Sequence, residues 1–312
     1  MRILFFGTPL FAVPPLEGLI KSNHTVVGVV TQPDRPKGRS LKISESPVKQ
    51  AASQEGIRVF QPFSLNSEVL IKELKQLRAD LFIVVSYGKM LPKTLLEIPR
   101  FYCLNIHASL LPRYRGAAPI SAVIQNRDPK TGVTIIRMTE KMDAGSSLMQ
   151  KEIAIDSKED GTSLSEKLSH LGADTLLSGL RLVQTQQAVF TPQDESQATY
   201  TKRLKKEDGK IVWSCSAEEI ESLIRGMIPW PSAFTLYQKR RLQIWKAGII
   251  QRPAYGRHGQ ILKVDYSQGV IEVSTGKNIL LIQEVQPESR KRMSAGEFAK
   301  GHHLRGGDLL GE

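Results

Sequence analysis

The sequence predicts an α/β protein in two parts: a Rossmann-like, mostly parallel sheet with helices on both faces, followed by a small OB-like β-barrel. Three observations carry this expectation. Over the first 140 residues, short apolar runs alternate with helix-like segments, the pattern of strands that cross over through helices into a covered parallel sheet. The most apolar runs, Ile3-Leu4-Phe5-Phe6 and Leu81-Phe82-Ile83-Val84-Val85, carry no polar alternation, as expected of strands buried on both faces. The last hundred residues instead hold one helix and several short strand-like runs separated by turn residues, which suits a small barrel.

Taken in order, residues 2–6 form an apolar strand that stops at Gly7, and a helix follows through Leu16 and Ile20. Residues 25–31 are Val-rich and read as the second strand. Ser46-Pro47 supplies an N-cap and a proline at the first helical position, opening a helix through Ala51 and Ala52. A short strand is expected at 58–60, a helix at 69–77, strands at 81–85 and 102–107, a helix at 120–124 and a strand at 133–138. Residues 163–183 place Leu164, Leu168, Leu171 and Leu176 on one helical stripe that would pack on the sheet. Residues 184–196 are polar and read as linker. A helix at 217–227 then precedes strands at 233–237, 242–247, 260–264, 270–274 and 279–286, with turn signals at Ser267-Gln268-Gly269 and Thr275-Gly276-Lys277. This gives a catalytic domain at 1–188, a linker at 189–207 and a barrel at 208–312. Gly7-Thr8-Pro9 stands where a dinucleotide fold places its glycine-rich turn, but it has one glycine and a proline without an N–H, which argues against a pyrophosphate site.

Bulk properties narrow the class. The 312 residues are 40% hydrophobic and 24% charged, ordinary for a soluble chain. No apolar run approaches a membrane span, and the N-terminus lacks a signal-peptide pattern, so a cytoplasmic protein with no membrane partner is expected. Cys103 and Cys215 lie far apart with no metal-ligand spacing; both read as reduced and structural, and no metal is expected. The formal charge is +12. Residues 1–200 hold 24 Lys and Arg against 19 Asp and Glu, whereas 201–312 hold 19 against 12. The shorter part is therefore the more basic, and a nucleic-acid partner is the usual meaning of such a balance.

The chemistry centres on residues 105–119. Asn105 and His107 are two apart, so on a strand both side chains point to one face. Alone, the pair reads better as a strand end with two satisfied polar groups; the loop and a later acid change that. Asp143, after the 133–138 strand, supplies an acid that strand ends converging on one crevice would bring to His107; its simpler reading is a turn residue before glycine. There is no GxSxG elbow around Ser109, so a covalent acyl-enzyme is disfavoured. Direct transfer fits better, with the protein supplying oxyanion donors and proton transfer. Ser109-Leu110-Leu111-Pro112 and Tyr114-Arg115-Gly116 would form the wall beside the trio, with the two leucines lining an apolar slot or plugging the domain's own core.

The run NIHASLLPRYRGAAPI with MDAG downstream resembles the folate-dependent formyltransferases. GTPLFA, TQPDRPKGR, SPVKQAA, VVSYGKMLP and IPWP extend the likeness over most of the chain and narrow it to the branch that acts on charged tRNA. The resemblance implies that 10-formyltetrahydrofolate is the donor and that the α-amino group of methionine on initiator tRNA is the acceptor. It puts Asn105, His107 and Asp143 on the catalytic positions. It puts Ser109, Leu110, Leu111 and Pro112 on the folate-binding loop, with Tyr87, Gly88, Met90 and Leu91 along the pterin slot. Ser146-Ser147 and Val212 depart from the family's habit of an acid after MDAG and a small polar residue before Trp213. A monomer is expected.

Two basic regions remain. Residues 32–46 make a long connection between a strand and a helix and carry Arg35, Lys37, Arg39 and Lys42, where about 2–6 residues are usual. By resemblance this is the insertion that engages the acceptor end of tRNA, with Arg39 its key arginine. Lys205, Lys206 and Lys210, in a basic stretch that opens at Lys202, would add a second RNA contact, alongside Lys239-Arg240-Arg241 and Arg290-Lys291-Arg292. Each cluster alone is a weak signal, since a charge run is usually a solvated face.

Overall fold

The computed structural model describes residues 1–37 and 42–311. Its first strands are β1 (Arg2–Gly7) and β2 (Thr25–Val30), with helix α1 (Val13–Ile20) between them. A hairpin of β3 (Arg35–Lys37) and β4 (Lys42–Ser44) precedes α2 (Pro47–Gln54) and β5 (Val59–Phe60). Next come α3 (Glu68–Gln76), β6 (Leu81–Val85), α4 (Lys93–Leu96), β7 (Tyr102–His107) and the short β8 (Arg115–Gly116). Helix α5 (Pro119–Gln125), β9 (Lys130–Arg137), β10 (Ser147–Ala154), α6 (Gly161–Gln184) and β11 (Tyr200–Thr201) follow. The chain divides into two compact units, one of Met1–Pro119, Lys130–Ala154 and Ser165–Thr201, the other of Ile120–Pro129, Ile155–Leu164 and Lys202–Glu312.

The first unit is built on a seven-stranded sheet in the order β10-β9-β7-β6-β1-β2-β5. All pairings from β7 through β5 are parallel, while β9 runs antiparallel to β7 and β10 antiparallel to β9. The mostly parallel sheet is therefore as the alternation predicted. Every residue of β6 is buried, as are Ile3, Leu4, Phe5 and Phe6 of β1, which explains why both runs are apolar without alternation. The chain leaves β1 in one direction through β2 and β5, then returns to β6 and β7 on the other side. That reversal makes the β1–β6 boundary a topological switch point, and the crevice beyond the strands' carboxyl ends is where such sheets bind ligands. Gly7 closes β1 there because a Cβ would stand 2.7 Å from the Phe5 ring and 3.2 Å from the Val85 carbonyl. Ser46 caps α2 by accepting from the Lys49 amide, with Pro47 at the first turn, as the sequence predicted.

The second unit holds α7 (Ala217–Gly226), then β12 (Ala233–Tyr237), β13 (Arg240–Ile250), β14 (Ile261–Asp265), β15 (Val270–Ser274), β16 (Ile279–Pro287), β17 (Met293–Ser294) and α8 (Ala295–His302). The strands pair antiparallel in the order β12-β13-β16-β15-β14, with β17 on β16. Both predicted hairpin turns join paired strands, β14 to β15 and β15 to β16. Strand β13 is longer at both ends than its apolar run, because β12 and β16 pair with it and satisfy backbone groups at basic and small residues. Trp213, Ile220, Ile224, Ile282 and Phe298 fill its core, and the Trp213 indole donates to Thr235 Oγ1 at 3.0 Å. A Ser216–Glu219 capping box starts α7. Residues 120–129 and 155–164 belong with this unit through α7: Ser121 Oγ donates to the Gly226 carbonyl at 2.6 Å, Ser222 Oγ to the Gln125 carbonyl at 3.2 Å, and Arg225 Nη1 to the Glu159 carbonyl at 2.8 Å.

No helix among the described residues is long and apolar enough to cross a membrane. The parallel sheet should be sensitive to a void near its centre. Phe82 is fully buried with its ring 5.2 Å from that of Phe6, so Phe82→Ala is expected to destabilise the chain by about 3–5 kcal/mol, read as a lower urea midpoint by far-ultraviolet circular dichroism.

Candidate active site

Strand β7 delivers Asn105 and His107 to one face of its carboxyl end. Asn105 is in register with Val84 of β6, and His107 with Thr134 of β9. The expected convergence of strand ends does not account for Asp143, because β9 runs antiparallel to β7 and its last residue, Arg137, lies opposite Leu104. The connection from 138 to 146 instead turns back and carries Asp143 to the trio. Gly145 permits the turn, since a Cβ there would stand 1.7 Å from the Arg137 carbonyl. Asp143 itself has φ +49°, a left-handed conformation that Asp tolerates better than most residues.

The trio is compact. Asn105 Nδ2 donates to Asp143 Oδ1 at 3.4 Å, and His107 Nδ1 lies 3.6 Å from Asp143 Oδ2. The Gly116 amide donates to the same Oδ2 at 2.9 Å. His107 Nε2 is 2.9 Å from the Tyr114 carbonyl. A carbonyl only accepts, so Nε2 carries a proton. Nδ1 is then the nitrogen that faces Asp143: it bears the lone pair in the neutral ring and a proton in the imidazolium. The His107 side chain is 7% exposed and that of Asp143 17%, so both are largely withdrawn from water yet reachable.

The Ser109–Pro112 loop is closed internally. Ser109 Oγ donates to the Arg113 carbonyl at 2.6 Å, and the Ser109 carbonyl accepts from Thr134 Oγ1 at 2.7 Å. Thr134 Oγ1 in turn accepts from the Leu111 amide and from Gln150 Nε2, which also donates to the Leu111 carbonyl at 3.0 Å. Ser109 and Leu111 are buried, Leu110 and Pro112 half-buried, and Leu111–Pro112 is cis. The Ser109 hydroxyl thus shapes the loop. Tyr87 is also buried, its ring edge-on to Phe6 at 5.6 Å, and burial pushes its phenol up to about 12. Its main-chain carbonyl, accepting from Thr8 Oγ1 and Gln32 Nε2, is what faces the ends of β1 and β2. Gly88 has φ +89°. Met90, 47% exposed, and Leu91 line a cleft of about 530 Å³ with Phe63, Leu65, Lys89 and Glu140. Glu140 belongs to the same 138–146 connection as Asp143, but Asn105, His107 and Asp143 do not line this cleft. Cys103 is buried, and burial pushes its thiol up to about 12, which leaves it protonated and inert at neutral pH.

Sequence reasoning missed the contribution of the polar stretch after α6. Arg115, 1% exposed, donates through Nε and Nη2 to Gln193 Oε1 and through Nη1 and Nη2 to the Glu195 carboxylate. Strand β11 pairs with β8 next to the trio. Only a charge whose burial requires partners elsewhere could have signalled this, and nothing in the sequence marks Arg115 as buried.

The RNA candidates are spread over both units. Arg35, Lys37 and Lys42 stand on β3 and β4, while Arg39 lies outside the described residues. Lys205, Lys206 and Lys210 are exposed. Lys49, by contrast, is an anchor: its Nζ lies 2.5 Å from Asp34 and 3.0 Å from Glu45, the residues on either side of the hairpin. Hydrogen bonds from Lys49 and Gln61 hold the Asp34 carboxyl below its usual value. A depressed carboxylate contributes while it is ionised and is lost as pH falls through its folded value, so the anchor is expected at neutral pH and gone well below about pH 4. Lys49→Met should therefore speed tryptic cleavage at Lys37 and Lys42 several-fold at pH 7.5, with the rest of the chain cut at the wild-type rate; equal rates would remove the anchoring role.

Comparison with known proteins agrees with this architecture. The family model described as formyl transferase matches residues 1–180, and that of the formyl transferase C-terminal domain matches 203–303. A protein from Alkaliphilus oremlandii named methionyl-tRNA formyltransferase is 44% identical over 312 residues, covering 100% of both chains. One of the same name from Hydrogenovibrio crunogenus is 45% identical over 309 residues, covering 99% of this chain and 98% of that one. Among solved structures, an N-formyltransferase from Helicobacter canadensis in complex with folinic acid and dTDP-3-aminofucose aligns with a TM-score of 0.68 at 18% identity, over 92% of this chain and 99% of that one. At that identity the likeness is one of fold. With both domain models matched and full-length relatives above 40% identity, the chain belongs to the methionyl-tRNA formyltransferase family.

Proposed function

We propose that the chain transfers the formyl group of 10-formyltetrahydrofolate to the α-amino group of methionine on initiator tRNA, for translation initiation in the cytoplasm, as a monomer. The observation that carries this reading is the Asn105–His107–Asp143 cluster at the carboxyl end of β7, in a chain alike over its whole length to the relatives above. Residues 1–188 would hold the chemistry, 189–207 the connection, and 208–312 an RNA-binding barrel. The cleft beside Met90 and Leu91 suits the carboxylate tail of the donor, to which Lys89 and Lys93 offer cations, while the trio that must meet the formyl carbon lies outside its lining.

Bound with its formyl carbon at the trio, the folate supplies that carbon, whose bond to the folate nitrogen is exchanged for one to the incoming amine. The protein's task is charge and proton control. Asn105 Nδ2 has a second hydrogen beyond the one directed at Asp143, and it can donate to the oxygen that becomes negative during transfer. His107 Nε2–H is committed to the Tyr114 carbonyl, so Nδ1 is the atom that takes the proton from the attacking amine. The Asp143 carboxylate then faces the resulting imidazolium and stabilises it. The same Nδ1 returns a proton to the departing nitrogen, which balances the exchange without a covalent enzyme intermediate. The cations on β3–β4 and at Lys205, Lys206 and Lys210 suit a phosphate backbone.

A formyl-transfer assay with 10-formyltetrahydrofolate and methionyl-tRNA, with uncharged tRNA as control, is the direct test. Formylation of a small amine only would overturn the acceptor. Asn105→Ala is expected to lower kcat by about 10²–10³ and His107→Ala by about 10²–10⁴; a His107→Ala chain at full rate would remove the mechanism. Arg39→Ala should reduce turnover of charged tRNA and flatten its salt dependence by about one unit of slope, and an unchanged slope would remove Arg39 from the RNA contact.

A further inference from the structure

Asp143 stands on a connection that holds itself poorly. Between Thr139 and Gly145 the backbone-to-backbone bond among the described residues is that from the Ala144 amide to the Lys141 carbonyl, at 3.5 Å, the long limit for such a contact. The conformation nevertheless includes a non-glycine residue at positive φ, which persists only where surroundings impose it. Asn105 and the Gly116 amide hold the Asp143 carboxylate, and the main chain beside it is held by a side chain from outside the connection: Gln193 Nε2 donates to the Asp143 carbonyl and to the Gly145 carbonyl, both at 2.7 Å.

The orientation of that amide is decided. Gln193 Oε1 accepts from Arg115 Nε at 3.1 Å and Nη2 at 2.8 Å. A guanidinium only donates, so the oxygen must face Arg115 and the NH₂ must face the two carbonyls. Arg115 is itself held by both Glu195 oxygens and by Tyr200 Oη at 3.1 Å. The next residue, Gly116, donates its amide to Asp143 Oδ2 at 2.9 Å. Residues 115 and 116 thus reach Asp143 twice, at the carboxylate through an amide and at the main chain through Gln193.

We infer that Gln193 is a positioning residue for Asp143, with Arg115 setting its amide. The inference rests on the reading in which Asp143 faces His107 during formyl transfer. Gln193 touches no reacting atom; it fixes where the carboxylate stands.

The test uses the full chain with Gln193→Leu, which keeps most of the volume and removes both donors, and Gln193→Glu, which keeps the shape and only accepts. For both, kcat is expected to fall about 10- to 100-fold, the scale of a small misplacement in a site, with KM for folate and charged tRNA within about twofold. In a double-mutant cycle, Gln193→Leu should cost less than about twofold once Asp143 is already Asn, because residues acting through one another are not additive. Independently of activity, hydrogen exchange of the Gly116 amide should quicken about tenfold while the Arg115 amide, bonded to the Thr199 carbonyl, keeps its rate. Unchanged kcat with an unchanged Gly116 amide overturns the inference. So does an additive cycle, or an exchange increase shared by all amides of β8, since either marks general loosening. If the wild-type chain transfers no formyl group, the functional reading fails, and the Gly116 exchange still decides whether Gln193 holds Asp143.

Discussion

Arg115 brings a guanidinium to a place where water barely reaches it, and burying such a group is costly unless its donors are occupied. They are taken up by Gln193, Glu195 and Tyr200, all from the stretch after α6. The requirement therefore draws that stretch across the site: the Arg115 amide donates to the Thr199 carbonyl, the Tyr114 amide to Thr199 Oγ1, and β11 pairs with β8. What composition makes look like a tether becomes a wall. Glu195 is 67% exposed on its side chain, so the wall joins a buried cation to an anion that keeps its contact with solvent and escapes most of the desolvation that a fully buried pair would suffer.

The same wall decides the chemistry of the imidazole. Tyr114 sits at φ +62°, and its carbonyl accepts from His107 Nε2. That one bond assigns the tautomer and leaves Nδ1 as the nitrogen able to exchange a proton. The polar groups of the 109–112 loop are spent on its own shape. Thr134, opposite His107 on β9, ties Ser109, Leu111 and Gln150 together through one hydroxyl, so the loop that begins right after His107 is braced from the neighbouring strand. A polar residue in mid-strand, fully buried, satisfies three groups at once.

Charge counting misleads in one direction. Lys49 follows the basic run in sequence but is paired with Asp34 and Glu45, which makes it the fastening of the hairpin. Arg115 likewise leaves the surface balance. Lys205, Lys206 and Lys210, by contrast, stand in solvent and keep their charge available. The cations left to meet a polyanion are therefore fewer than the basic residues counted in the sequence.

The positions of the strands, the mostly parallel sheet and the second unit of short hairpin-joined strands were legible because they follow from local pattern: runs such as 81–85 are apolar throughout since both faces are covered, and turns such as 267–269 need residues that bend. Asn105 and His107 were legible for the same reason, since the two-residue period puts them on one face. The direction of β9 was not, because an antiparallel neighbour and a parallel one present the same apolar run, and with β9 reversed Asp143 had to arrive by a loop. Nor was the role of residues 193–200, whose polar composition is that of a solvated segment. The sequence by itself determined the fold class and the chemical identity of the three central side chains. Only the tertiary structure decided how they are held, because a buried Arg115 finds its partners some eighty residues away, and hydrogen bonds over that separation leave no period in the chain.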